Sequence, residues 1–156
     1  MNALTICQPY ASLICLPESN PLHKRVENRK WFTGRVGKLV IHAVKSRDFL
    51  KIVRPGVEAF GFEVAKLPFG ALVAVVDMVG CFSQAEIYRR DPKTLKFPWL
   101  QAHRHVEGPY CFVLQNVRVF AKPIPYTGHQ GFFDVPDDLV KEALGATATP
   151  QATATV

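Results

Sequence analysis

The chain has 156 residues, of which 48% are hydrophobic and 21% charged, enough to bury one core and too apolar for global disorder. Its formal net charge of +6 argues for a polyanionic partner. The longest apolar run, residues 69–82, is broken by Asp77 and too short to cross a bilayer, which excludes a membrane helix there.

Residues 3–7 form a short β-rich run, and Pro9 then stands near a helix start, where its missing N–H does no harm. Together they predict a strand followed by a short helix. The opening residues lack the basic start and small-residue cleavage site of a secretory signal, so a cytoplasmic location is expected. After a loop at residues 17–21, a basic segment leads into a strand over 38–43, with Leu39, Ile41 and Ala43 on one face and Lys38, Val40 and His42 on the other. Ser46 can cap a helix that Pro55 and Gly56 should limit, with a second helical turn through 57–62. Residues 70–82, rich in Val and apolar almost throughout, predict a strand buried on both faces at the centre of the sheet. Ser83 and Glu86 open a capping box and a short helix. A long strand follows over 109–120, then a short one around 132–135, and a closing helix over 137–144. The segment 145–156 is Ala/Thr-rich without core-forming side chains and reads as a disordered tail after a domain spanning 1–144.

Strands that do not alternate regularly with helices argue against a doubly wound sheet and for a mixed, largely antiparallel α+β arrangement or a partly open barrel. No dinucleotide fingerprint, phosphate-binding glycine loop or nucleophile elbow occurs, and no cofactor is expected. Cys7, Cys15, Cys81 and Cys111 are scattered and read as small buried hydrophobes in a reducing compartment. His103 and His105 form an HxH pair without a carboxylate or cysteine to complete a ligand set, so no metal site is predicted.

Charge is concentrated rather than spread. Ten of the 19 Lys and Arg residues fall between Pro21 and Arg54, against Glu27 and Asp48 as the acids there. Within that third, residues 23–32 read HKRVENRKWF. If the segment is extended, alternation places Glu27, Arg29 and Trp31 on one face, joining an acid, a guanidinium and an aromatic plane. Arg29 suits a phosphate or carbonyl through its forked N–H donors, and Glu27 suits a base amino group or the activation of water. Lys24 is a candidate proton shuttle. Trp31 and Tyr10 are candidate stacking platforms, with core packing as the alternative for Trp31, and Gln8 offers an amide for a base edge or for capping the first helix. His42 is either a satisfied core histidine or a catalytic one, with Lys45 just beyond it. Asp77 needs a partner in its buried strand, either a basic residue or the chemistry of a cleft.

The segments ALTICQPYASLI, KRVENRKW, GKLVIHAVK, GALVAVVDMVGC, GPYCFVLQNV and PIPYTGHQGFFDV, in that order, resemble the pattern of ASCH domains, a branch of the PUA-like superfamily, over residues 3–136. The family signature GxKxxExR is met by Lys24, Glu27 and Arg29, with Leu22 in the place of the glycine. The resemblance implies a PUA-like, mixed and mostly antiparallel β-barrel flanked by short helices, with a cleft beside the first helix for RNA or a modified nucleoside or nucleotide. Some members are amidohydrolases on N4-acetylcytidine that use a lysine, a threonine nucleophile and a carboxylate; Glu27 stands where that threonine would be.

Three readings follow. The first is a binding module for RNA or a nucleotide, with Gln8, Tyr10, Arg29, Trp31 and Lys45 as binding residues. The second is a metal-independent hydrolase of the same cleft, acting on N4-acetylcytidine-type nucleosides or on RNA, with Lys24, Glu27 and His42 as catalytic residues. The third is a protein-interaction domain. A monomer is the expectation, although the sequence leaves the oligomeric state open.

Overall fold

The computed structural model describes residues 1–147, with the backbone alone at 53–58 and 146–147. Among the described residues six strands form one sheet: β1 (Asn2–Ile6), β2 (Val26–Arg29), β3 (Gly37–Ala43), β4 (Ala71–Ser83), β5 (Tyr110–Pro125) and β6 (Phe132–Asp134), in the spatial order β2-β5-β4-β3-β1-β6. β1 runs parallel to β3, and every other pairing is antiparallel. The sheet curls into a half-barrel, the partly open form of an α+β fold. Its coiling has a local cause. Register shifts at Leu72/Ala74, Val75/Asp77 and Met78/Gly80 interrupt the long β4–β5 ladder, and each such irregularity bends the strand and increases its twist.

Alternation along the strands sorts the side chains into layers. Leu39, Ile41 and Ala43 enter one core with Leu4, Ile6, Ala74, Val76 and Phe112, and the helix α1 (Tyr10–Ile14) covers it with Ala11 and Ile14. On the opposite face Ala3, Val40, Leu72 and Val75 pack under α4 (Asp137–Thr147) through Val140. A third cluster joins Val26, Cys111 and Val113 to Ile87 of α3 (Gln84–Arg89) and to Leu100. The first half of β4 is therefore buried on both faces, as its unbroken apolar run predicts. Among the described residues, no helix is long and apolar enough to cross a membrane.

Several local expectations are refined. The helix α2 (Asp48–Ala59) runs straight through Pro55 and Gly56 instead of stopping before them; an interior proline removes one backbone hydrogen bond, and the remaining turns still close. Ser83 caps α3 by accepting the Glu86 N–H at 3.1 Å, whereas the Glu86 carboxylate turns outward to Arg90 Nη2 at 2.8 Å. The box thus contributes its serine half. Ser83→Ala is expected to cost ~1 kcal/mol, read as a lower urea midpoint. Asp77 pairs with Arg118 Nη2 at 2.8 Å and accepts from Asn116 Nδ2 at 3.0 Å, which makes it a structural acid of β4. The four cysteines are free, but only Cys111 is buried; Cys15 and Cys81 are half-buried and Cys7 is exposed. Cys7 departs from the expected burial because it follows the end of β1 at the mouth of a cavity. The helix α4 reaches Thr147, and the remainder of the predicted tail, 148–156, lies outside the described residues.

Candidate nucleic-acid interface

A cavity of about 240 Å³ opens beside α1 and is lined by Thr5, Cys7, Tyr10, Lys24, Glu27, Asn28, Arg29, Phe49, His105 and Glu107, with Ile6. β2 supplies its charged wall. Val26 is sunk in the third core cluster, so the pleat turns Glu27 to the other side of the strand, where it stands opposite Phe112 of β5. The Glu27 carboxylate meets Lys24 Nζ at 2.5 Å through one oxygen and Arg29 Nη2 at 3.3 Å through the other. Arg29 Nη2 also donates to the Thr5 carbonyl at 2.7 Å, which ties β2 to β1 across the cavity. Lys24 and Glu27 are both buried, and Lys24 Nζ lies 5.2 Å from the centre of the Tyr10 ring.

The pair is desolvated on most sides, a costly arrangement when it serves stability alone. Two further groups strengthen its reading as a binding site. Arg29 Nε and His105 Nε2 are buried with no hydrogen-bond partner, and buried polar atoms are rarely left so. Burial, with Lys24 nearby, pushes the His105 pKa down to about 4, and burial with His105 and Arg25 nearby does the same to His103. His103 Nε2 accepts the Arg25 backbone N–H at 3.1 Å. Both imidazoles are therefore neutral at pH 7. Burial also raises the Tyr10 phenol, with Glu107 and Glu27 acting in the same direction.

A pH prediction follows from these histidines. Their folded pKa lies below the unfolded value of 6.5, so the unfolded chain binds protons first as the pH falls. Stability is fully present above about pH 6.5 and is expected to drop as the pH falls towards 4, where both forms are protonated. Thermal melts across that range should flatten in His105→Gln.

The other candidate residues are placed differently. Gln8 is buried as a strut, its Nε2 donating to the Pro68 carbonyl at 2.8 Å and its Oε1 accepting the Ser12 N–H at 3.0 Å. β2 ends at Arg29, and Trp31 beyond it packs edge-on against Phe112 and Phe132 at 5.1 and 5.2 Å. His42 and Lys45 line a second cavity of about 980 Å³. There His42 Nε2 meets the Tyr126 carbonyl at 2.8 Å and Nδ1 meets Thr5 Oγ1 at 3.1 Å. The carbonyl can only accept, so Nε2 carries the proton and Nδ1 is left as an acceptor, which shares the one Thr5 hydroxyl proton with the His129 carbonyl 3.3 Å away. Burial lowers the His42 pKa. Lys24, Glu27, Arg29 and Tyr10 thus share one cavity, and His42 and Lys45 share its neighbour.

The sequence reading missed Thr5, Asn28, Phe49 and Glu107 at the first cavity and considered His105 only for metal. Asn28 acts as a clamp: its Oδ1 accepts the N–H groups of Glu107 and Gly108 at 3.0 and 2.9 Å, and its Nδ2 donates to the His105 carbonyl at 2.8 Å. It thereby fixes the segment that carries His105 and Glu107. Among the described residues, no group of three His, Cys, Asp or Glu could hold a metal ion.

Fold and site together define an α+β half-barrel with a charged cleft against its first helix. A scan against family models finds no match. In structure, the chain is similar to a tyrosine-to-phenylalanine mutant of ZmASCH from Zymomonas mobilis, with a TM-score of 0.51 and 12% identity over 92% of this chain and 96% of that one. In sequence, it is 25% identical over 133 residues to human activating signal cointegrator 1, covering 81% of this chain. The match spans 21% of that protein's length. The resemblance and the fold agree: the chain shares the fold of an ASCH protein.

Proposed function

We propose that the first cavity receives one nucleobase, presented by single-stranded RNA or by a modified nucleoside, and that the chain is foremost a binding module. The observation that carries this reading is the convergence of buried Lys24 and Glu27 and half-buried Arg29 with a neutral His105 on one small cavity. At about 240 Å³ it is smaller than the ~300–1,000 Å³ pockets that enclose drug-sized ligands, which suits a single flat heterocycle. Tyr10 and Phe49, with ring centres 5.8 Å apart, give it an aromatic side on which a base can lie. Glu27 can accept from an exocyclic amino group, and the unpartnered Arg29 Nε and His105 Nε2 offer polar atoms to the base edge. The basic segment around the cavity attracts the phosphates. Free thiols at all four cysteines are compatible with a reducing compartment such as the cytoplasm.

The test is fluorescence anisotropy with a mixed-sequence single-stranded RNA at two salt concentrations. Affinity should fall steeply with salt, and Arg29→Ala should weaken binding about tenfold, the scale of one charge-assisted contact. Retention that ignores both salt and Arg29 would overturn the reading.

A second reading, hydrolysis, is favoured by the direct contact of Lys24 Nζ with Glu27 Oε2 at 2.5 Å in the cavity wall. Such a pair can move a proton: Glu27 takes it from an attacking water or a ribose 2′-hydroxyl, and Lys24 gives one to the leaving group. Cytidine released from N4-acetylcytidine, or RNA fragments, made by the wild type and not by Glu27→Gln would assign that chemistry. Absence of both products leaves the binding module.

A further inference from the structure

The second cavity differs from the first in its charge. Among the described residues no carboxylate lines it, whereas Glu27 and Glu107 line the first. Lys45, Ser46, Thr127, His129 and Gln130 bring an ammonium, two hydroxyls, an imidazole and an amide to its wall. Lys45 is exposed and forms no ion pair among the described residues. In the first cavity Lys24 and Arg29 are offset by Glu27 and Glu107, whereas the second offers an anion neutral donors and a cation with no acid against it.

Thr5 joins the two spaces, because it lines both. Its carbonyl holds Arg29 of the first cavity, and its hydroxyl contacts His42 at 3.1 Å and the His129 carbonyl at 3.3 Å in the second. His42 in turn donates to the Tyr126 carbonyl. Gly128 lies so close beneath this group that a Cβ there would come within 2.5 Å of His42 Cε1 and 2.7 Å of Thr5 Oγ1. The segment 126–129 is thus held against the His42–Thr5 pair before any ligand arrives.

We infer that the second cavity is a subsite for the phosphodiester and sugar adjoining the bound base, so that the ligand is a strand of at least two nucleotides rather than a free nucleoside. This rests on the proposed base-binding role of the first cavity. His42 is then a positioning residue that fixes the phosphate loop through Tyr126 and Thr5.

The experiment measures affinities of the four free nucleosides, their 5′-monophosphates and a mixed-sequence RNA dodecamer for the wild type, Lys45→Ala and Tyr10→Ala, at two salt concentrations. The wild type should prefer the dodecamer. In Lys45→Ala that preference over nucleosides should shrink about tenfold and the salt slope should fall by about one, as for loss of one phosphate contact. Unchanged dodecamer affinity and slope in Lys45→Ala, with weakening in Tyr10→Ala, would overturn the second subsite and leave the first cavity intact. Weakening in Lys45→Ala with none in Tyr10→Ala would remove the base-binding reading and keep a phosphate site. A wild type that holds monophosphates as tightly as the dodecamer, or shows no preference for RNA, would overturn the strand proposal.

Discussion

Glu27→Ala is expected to destabilise the fold by about 3–5 kcal/mol, the scale for breaking a buried ion pair by removing one partner. The loss falls on two cations. Lys24 is left buried with the Tyr10 ring as its nearest compensation, and Arg29 keeps its bond to the Thr5 carbonyl but loses the carboxylate. Urea unfolding followed by Trp fluorescence measures it. Glu27→Gln keeps an acceptor of the same shape and should lose less. The double replacement Lys24→Met/Glu27→Leu should recover most of the stability, because apolar groups of similar size often replace a buried pair without cost. If both single variants are as stable as the wild type, the pair is solvated and the desolvated cleft wall described above is wrong.

Phe112→Ala should be as damaging, at about 3–5 kcal/mol. Phe112 has no exposed surface and stacks with Phe132 while meeting Trp31 edge-on. It also faces Glu27 in the β2–β5 register, so a collapse around the missing ring should shift the strand that carries the cleft acid. Denaturant midpoints give the stability cost, and RNA affinity measured well below the unfolding transition reports the displacement of Glu27. Phe112→Leu, which retains apolar volume, should recover part of both.

Much of this architecture is legible in the order of residues because it depends on short-range periodicity. The twofold alternation of β3 separates Leu39 and Ile41 from Val40 and His42, and the structure puts them in different layers. The continuous apolar run of β4 marks the strand with neighbours on both faces. Lys24, Glu27 and Arg29 are close in sequence, so a short strand suffices to bring them together. The limits are equally local. Alternation extended to Trp31 assumes that β2 continues, but the strand ends at Arg29 and Trp31 turns towards Phe112 and Phe132. Distant parts of the cavity wall come from Phe49, whose arrival depends on the chain path, and from His105 and Glu107, which the Asn28 clamp holds in place. No local pattern encodes that meeting. Nor does periodicity separate His42 and Lys45 from the Lys24–Glu27 pair, which the fold places in two cavities that share Thr5.

The most direct test of the central claim is the affinity of a mixed-sequence single-stranded RNA for Lys24→Met/Glu27→Leu, with the fold verified by its unfolding midpoint. A cleft that recognises a base through these side chains predicts near-wild-type stability with affinity at least ~10-fold lower, the cost of losing a charged contact. Unchanged affinity in a folded double variant would contradict it and make the pair a structural device.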